Sequence, residues 1–137
     1  MSWTSKRPEY LGVHAGRLSP CPDSPNCVCS QDADAAHAIT PFAVGHDAER
    51  QWTLLQQVIQ QQPRVTMVTT TDDYLHAEFR SLVFGFVDDV EFLRDREQGS
   101  IHVRSASRVG YSDLGVNRKR IELLRKELAE IMRRDAQ

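Results

Sequence analysis

Residues 72–120 read DDYLHAEFRSLVFGFVDDVEFLRDREQGSIHVRSASRVGYSDLGVNRKR, and the spacing of apolar and charged side chains along them decides the fold. Across residues 74–80, Leu75, Ala77 and Phe79 alternate with His76, Glu78 and Arg80, the two-residue period of a strand with one apolar face. Residues 86–93 repeat the pattern, setting Phe86, Val90 and Phe92 against Asp89 and Glu91. Residues 100–107 do so again, with Ile101 and Val103 against His102 and Arg104. A loop at 81–85 and a charged turn at 94–99 join the three segments, which therefore read as an antiparallel meander. Just upstream, residues 65–71 are rich in β-branched side chains and supply a fourth strand, with Thr71, Asp72 and Asp73 as the turn.

Two helices flank the strands. Ala48, Trp52, Leu55, Val58 and Ile59 recur at helical spacing, with Gln51, Gln56, Gln57 and Gln60 on the other side. Asp47 is placed to cap the first amides, and Pro63 stops the helix by disfavouring helical geometry in the residue before it. After a glycine-containing loop, Asn117 is expected to cap a last helix whose Ile121, Leu124, Leu128 and Ile131 form one stripe. Residues 1–41 hold five prolines and no surviving period, which reads as an irregular arm lying over the domain. The expectation is one α+β domain: a four-stranded antiparallel sheet packed on two helices over residues 42–137, with the arm at 1–41.

Composition narrows the function classes. A chain of 137 residues suits a single domain with its own core. A net charge of −2 gives no general field for nucleic acid, and aromatic residues do not interleave with the basic ones, so no nucleic-acid partner is expected. No apolar run approaches the ~20 residues of a membrane span. The first residues carry no apolar stretch of signal-peptide length, which makes the cytoplasm the expected location. There is no glycine-rich phosphate loop, no G-x-S-x-G and no H-E-x-x-H, and no cofactor is expected.

Three groups of residues carry candidate chemistry. His76, Glu78, Asp89 and His102 alternate toward one sheet face, where imidazoles among carboxylates would suit acid–base work of a hydrolase or isomerase kind. The plainer reading is a solvated face whose cross-strand ion pairs contribute ~0.2–1 kcal/mol each. Second, charge is segregated: acids dominate residues 72–97, whereas Arg104, Arg108, Arg118, Lys119 and Arg120 face Asp113 alone in residues 104–120. Basic residues at a helix start oppose its dipole, a cost that makes sense if an anion sits there. Arg104, Arg108, Tyr111, Asn117, Arg118 and Arg120 are thus candidate ligands for a small anion or an acidic partner. The internal alternative is that this basic segment neutralises the acidic strands. Asp88 turns inward with Val90 and needs a partner, for which Arg108, Tyr111, Ser105 and Ser107 are the nearest candidates. Third, Cys21-Pro-Asp-Ser-Pro-Asn-Cys27-Val-Cys29 spaces its cysteines by five residues and one, unlike a zinc knuckle, for which His14 or His37 would supply the fourth ligand. A Cys21–Cys27 disulfide, three reduced thiols and a redox switch all remain open, as does an arm that docks a partner.

Three blocks, RPEYLGVHAGRLSPCPDSPNCVCSQ, FGFVDDVEF and VRSASRVGYSDLGVNRKRIE, run from residue 7 to residue 122. With them the chain resembles the family of domains of unknown function 1499. The resemblance implies a small domain of bacteria and photosynthetic eukaryotes with no agreed activity, often behind a membrane or lipid anchor from which this chain departs. It implies that Cys21 and Cys27, rather than Cys29, form the pair, because the third cysteine is often serine in the family pattern. It also points to Asp88, Asp89, residues 104–108 and residues 111–120 as the family's shared positions, without adding a reaction.

Overall fold

A computed structural model describes residues 7–82, 85–110 and 115–135. Its elements follow the chain as β1 (Cys27–Cys29), β2 (Phe42–Ala43), α1 (Ala48–Gln60), β3 (Val65–Thr70), β4 (Tyr74–Arg80), β5 (Val87–Asp95), β6 (Ser100–Ser107) and α2 (Val116–Asp135). The class is α+β, as expected, but the antiparallel sheet has six strands rather than four. The order β3-β4-β5-β6 is the expected meander; the arm adds β1, and the residues just after it add β2, one after the other along the free edge of β6. Cys27 pairs with Ala106 and Cys29 with Arg104, so the arm is irregular only until it meets an unsatisfied strand edge, where its backbone groups find ladder partners.

The helices lie on the apolar face. Trp52, Leu55, Val58 and Ile59 of α1 and Ile121, Leu124 and Leu128 of α2 share one buried cluster with Leu75, Ala77, Phe79, Val90, Phe92, Ile101 and Val103. The Asp47 carboxylate accepts a hydrogen bond from the Arg50 amide, capping α1 as its sequence foretells. Gln51, expected on the polar side of α1, is instead buried, where its amide donates to the Ala43 carbonyl and accepts from the Gly45 amide. Asn117 does not cap α2. It lies inside the first turn, fully buried, bonded to the Ser105 and Ser107 hydroxyls and the Asn26 carbonyl. Phe86, expected in the core, falls just before β5 begins and is 36% exposed. No helix among the described residues is long and apolar enough to cross a membrane.

Candidate functional site

The second sheet face is formed by the alternation read above, but it is not open. Register places Glu78 of β4 opposite Asp89 of β5, with Ala106 of β6 beyond; the next row runs His76, Glu91, Arg104. Alternation puts the charges on one side; the arm then covers them. The Arg7 guanidinium bonds Glu78 at 2.7 Å, the Gly12 amide donates to Glu91 at 2.8 Å, and the Tyr10 ring stacks on Arg104 with its guanidinium carbon 4.5 Å from the centroid. Arg104 also donates to the Ser19 and Pro20 carbonyls. His76 is thereby 3% exposed and Asp89 fully buried, which overturns the solvated-face expectation.

Two like charges facing each other across a ladder repel, and Arg108 resolves the Glu78–Asp89 conflict. Its guanidinium bonds both Asp89 oxygens, at 2.7 and 2.9 Å, and reaches Glu78. The His76 Nε2 meets Asp89 at 2.7 Å from the other side. Burial pushes the Asp89 carboxyl up, but the hydrogen bonds from Arg108 and His76 and their charges outweigh it, so Asp89 titrates below the usual carboxylate range. Glu78 is lowered in the same way, against burial, by Arg7 and Arg108. In the next row, burial and then the Glu91 carboxylate push the Tyr74 phenol up, so it stays protonated and donates to Glu91. Glu91 and Arg104 approach to 3.9 Å, beyond hydrogen-bond reach.

Of the four acid–base candidates, His76, Glu78 and Asp89 come together and His102 does not. The His102 Nδ1 lies 3.1 Å from the Ser30 hydroxyl, and its ring lines an open groove of about 540 Å³ with Leu93, Asp95 and Arg96. Burial lowers its pKa, opposed by Asp95 and reinforced by Arg17. Ligand atoms of His76, Glu78 and Asp89 lie within 4.8 Å of one another, a spacing that could hold a metal ion. The guanidinium of Arg108 already bonds the same carboxylate oxygens, so a cation stands where the metal would go.

The basic segment is drawn inward. Arg104 and Arg108 lie on the arm face, whereas Arg120 crosses to the helix face, where it bonds Asp88 at 2.7 Å and stacks on Phe79. Asp88 therefore turns inward as expected, but its partner is Arg120 and not Arg108; Tyr111 lies outside the described residues. Arg118 donates to the Ala36 and Ala38 carbonyls. Among the described residues, the candidate anion ligands Arg104, Arg108, Asn117, Arg118 and Arg120 thus point to three different places and are engaged with groups of the chain itself. Cys21 and Cys27 are joined in a disulfide with 5.7 Å between their Cα atoms, which uses two of the three sulfurs a zinc site would need, and Cys29 is free and buried.

Sequence reasoning did not find Arg7, Tyr10, Gly12, Ser19 or Ser30 as the cover of this face. That the arm lies over the domain was expected, but an arm without a period does not say which face it covers, and these residues stood out only within the blocks shared with the family. No curated protein and no solved structure matches this chain. Residues 17–128 match the family model described as protein of unknown function (DUF1499), and the chain belongs to that family.

Proposed function

We propose that this domain is a non-enzymatic binding module that docks an acidic partner at the end of the sheet where the β4–β5 loop and the start of α2 lie together. One observation carries the reading: at that end large apolar side chains stand in solvent beside cations. Leu82 is 76% exposed, and Val116 and Leu123 are about half exposed, with Arg80 and Lys119 also at the surface. The two connections leave the sheet on the same side, since Asp88 pairs with Ser107 and the Arg108 amide donates to the Val87 carbonyl. Exposed apolar anchors fringed by cations suit an acidic surface with apolar contacts of its own. The inward arginines 104, 108 and 120 serve instead to hold the framework, which favours an acidic macromolecular partner over a small anion among those side chains.

The acid–base alternative rests on the His76–Asp89 hydrogen bond, but the arm lies over it, and substrate would have to displace Arg7 and Tyr10. The Cys21–Cys27 disulfide supports an oxidising compartment over the cytoplasm expected from the sequence. The test is amide chemical-shift mapping with a glutamate-rich peptide that carries leucine and phenylalanine. Shifts confined to residues near 82 and 115–123, lost in a Leu82→Asp, Lys119→Glu variant, are expected. Melting should barely change, because exposed substitutions rarely cost more than ~0.5 kcal/mol. Shifts confined to the arm, or none at millimolar peptide, would overturn the reading.

A further inference from the structure

The arm is fastened unevenly. From Leu18 onward it is anchored in the fold: Leu18 is buried, Cys21 is bonded to Cys27, and β1 pairs with β6. Ahead of Leu18, residues 7–17 bury no side chain, and His14 and Arg17 exchange backbone hydrogen bonds around a turn of their own. This leading strap is nevertheless what closes the charged face, through Arg7 on Glu78, the Gly12 amide on Glu91 and the Tyr10 ring on Arg104. Two further bonds fasten it to the arm, from the Ser19 hydroxyl to the Tyr10 carbonyl and from Arg17 to the Gln31 carbonyl. A segment held without any buried side chain belongs to the low-stability end of a fold and opens while the rest stays folded.

Beneath the strap, the carboxylates of Glu78, Asp89 and Glu91 face the guanidiniums of Arg104 and Arg108, with the His76 ring beside Asp89. Arg7 brings the guanidinium that makes the two kinds equal in number. In the row that Gly12 and Tyr10 cover, Glu91 Oε1 and Arg104 Nη1 are buried 3.9 Å apart without a hydrogen-bond partner, so the strap satisfies this row only in part. We propose that residues 7–17 are a displaceable strap, and that the face beneath receives in their place a partner-protein segment carrying an arginine and, three residues on, an aromatic ring. Its guanidinium takes the place of Arg7 on Glu78, and its ring takes the place of Tyr10 on Arg104. The strap's own sequence points to this occupant, because it already meets the face with those two groups at that spacing. Tethering holds the strap at an effective concentration on the order of millimolar, so it acts as an internal competitor. This face lies under the arm and does not depend on the proposed docking of an acidic partner at the end of the sheet.

Fluorescence anisotropy of a labelled peptide with the sequence of residues 7–17, RPEYLGVHAGR, titrated with the full disulfide-intact chain, reads the exchange directly. The wild-type chain should bind the peptide weakly. Arg7→Glu in the chain drives the strap off Glu78 and should tighten binding about tenfold. The Arg7 side chain is 56% exposed, so the variant should keep its melting temperature. Peptides carrying Arg7→Ala or Tyr10→Ala should bind about tenfold more weakly. Amide exchange on the wild-type chain gives a second readout that needs no variant: the Gly12 amide should exchange well ahead of the β4 and β5 amides. No binding by either chain at millimolar peptide would overturn the proposal. So would binding indifferent to the peptide's arginine and tyrosine, or Gly12 exchange as slow as that of β5. A wild-type dimer that the peptide dissolves would assign the place to the strap of a second copy and overturn the partner.

Discussion

Against its two helices the sheet presents Leu75, Ala77, Phe79, Val90, Phe92, Ile101 and Val103, whereas against the arm it presents His76, Glu78, Asp89, Glu91, His102 and Arg104. Both faces are buried, yet they are held by different forces. The helix face needs only to exclude water, at roughly 25 cal/mol per Å² of apolar area removed from solvent. Charges on the arm face must find counter-charges and donors at specific angles, or each costs several kcal/mol. That demand explains why the arm side contributes so many single-purpose contacts: Arg7 to Glu78, Gly12 to Glu91, Ser19 to Arg104, Ser30 to His102. A loop with no packing period of its own can cover a charged face because hydrogen bonds, unlike an apolar stripe, need no regular spacing.

Substituting one residue on each face is the strongest way to break the contrast. Arg108→Met removes the shared counter-charge of Asp89 and Glu78 and is expected to cost about 3–5 kcal/mol at neutral pH. Phe92→Ala on the opposite face should cost a similar ~3–5 kcal/mol through lost burial and a cavity. Urea unfolding near pH 7 would measure both. An Arg108→Met loss below ~1 kcal/mol would mean that water or the arm already serves those carboxylates.

Acid should then separate the two. Asp89 and Glu78 titrate low in the folded protein, so their contribution is complete above the ordinary carboxylate pKa of ~4 and is lost as pH falls through their folded values. His102 is also lowered, so the folded state resists its proton and stability begins to fall below ~6.5. The Arg108→Met penalty should shrink in acid as the carboxylates protonate, while the Phe92→Ala penalty should persist. Equal pH dependence of the two variants would sink the distinction.

A smaller effect is expected from the disulfide. Replacing Cys21 and Cys27 by serine opens a short loop and should cost about 2 kcal/mol. Because β1 stays paired to β6, increased amide exchange should centre on the arm and leave the helix-facing strands quiet. A uniform rise across the sheet would mean that the arm and the sheet unfold as one unit.

Much of the fold was legible because alternation is a local property. The meander from Tyr74 to Ser107 and both apolar helix stripes follow from spacing alone, as does the inward turn of Asp88. Asn117 and Gln51 were misplaced because a polar side chain reads as a cap or a surface residue until its buried partners are known, here Ser105 and Ser107 for one and Ala43 and Gly45 for the other. Phe86 was misplaced because the strand starts one residue later than its pattern suggests.

The candidate site divides along the same line. The amino-acid sequence by itself determined which side chains share a face, since a two-residue period assigns His76, Glu78, Asp89 and Arg104 to one side whatever else the chain does. Only the tertiary structure decided that this side is covered, that Arg108 serves Asp89 while Arg120 serves Asp88, and that a piece of the arm and the residues just after it become strands. The reason is physical: period is set by bonds between neighbours, whereas the partner of a buried charge and the edge to which a loop adds are chosen by residues up to 85 positions away.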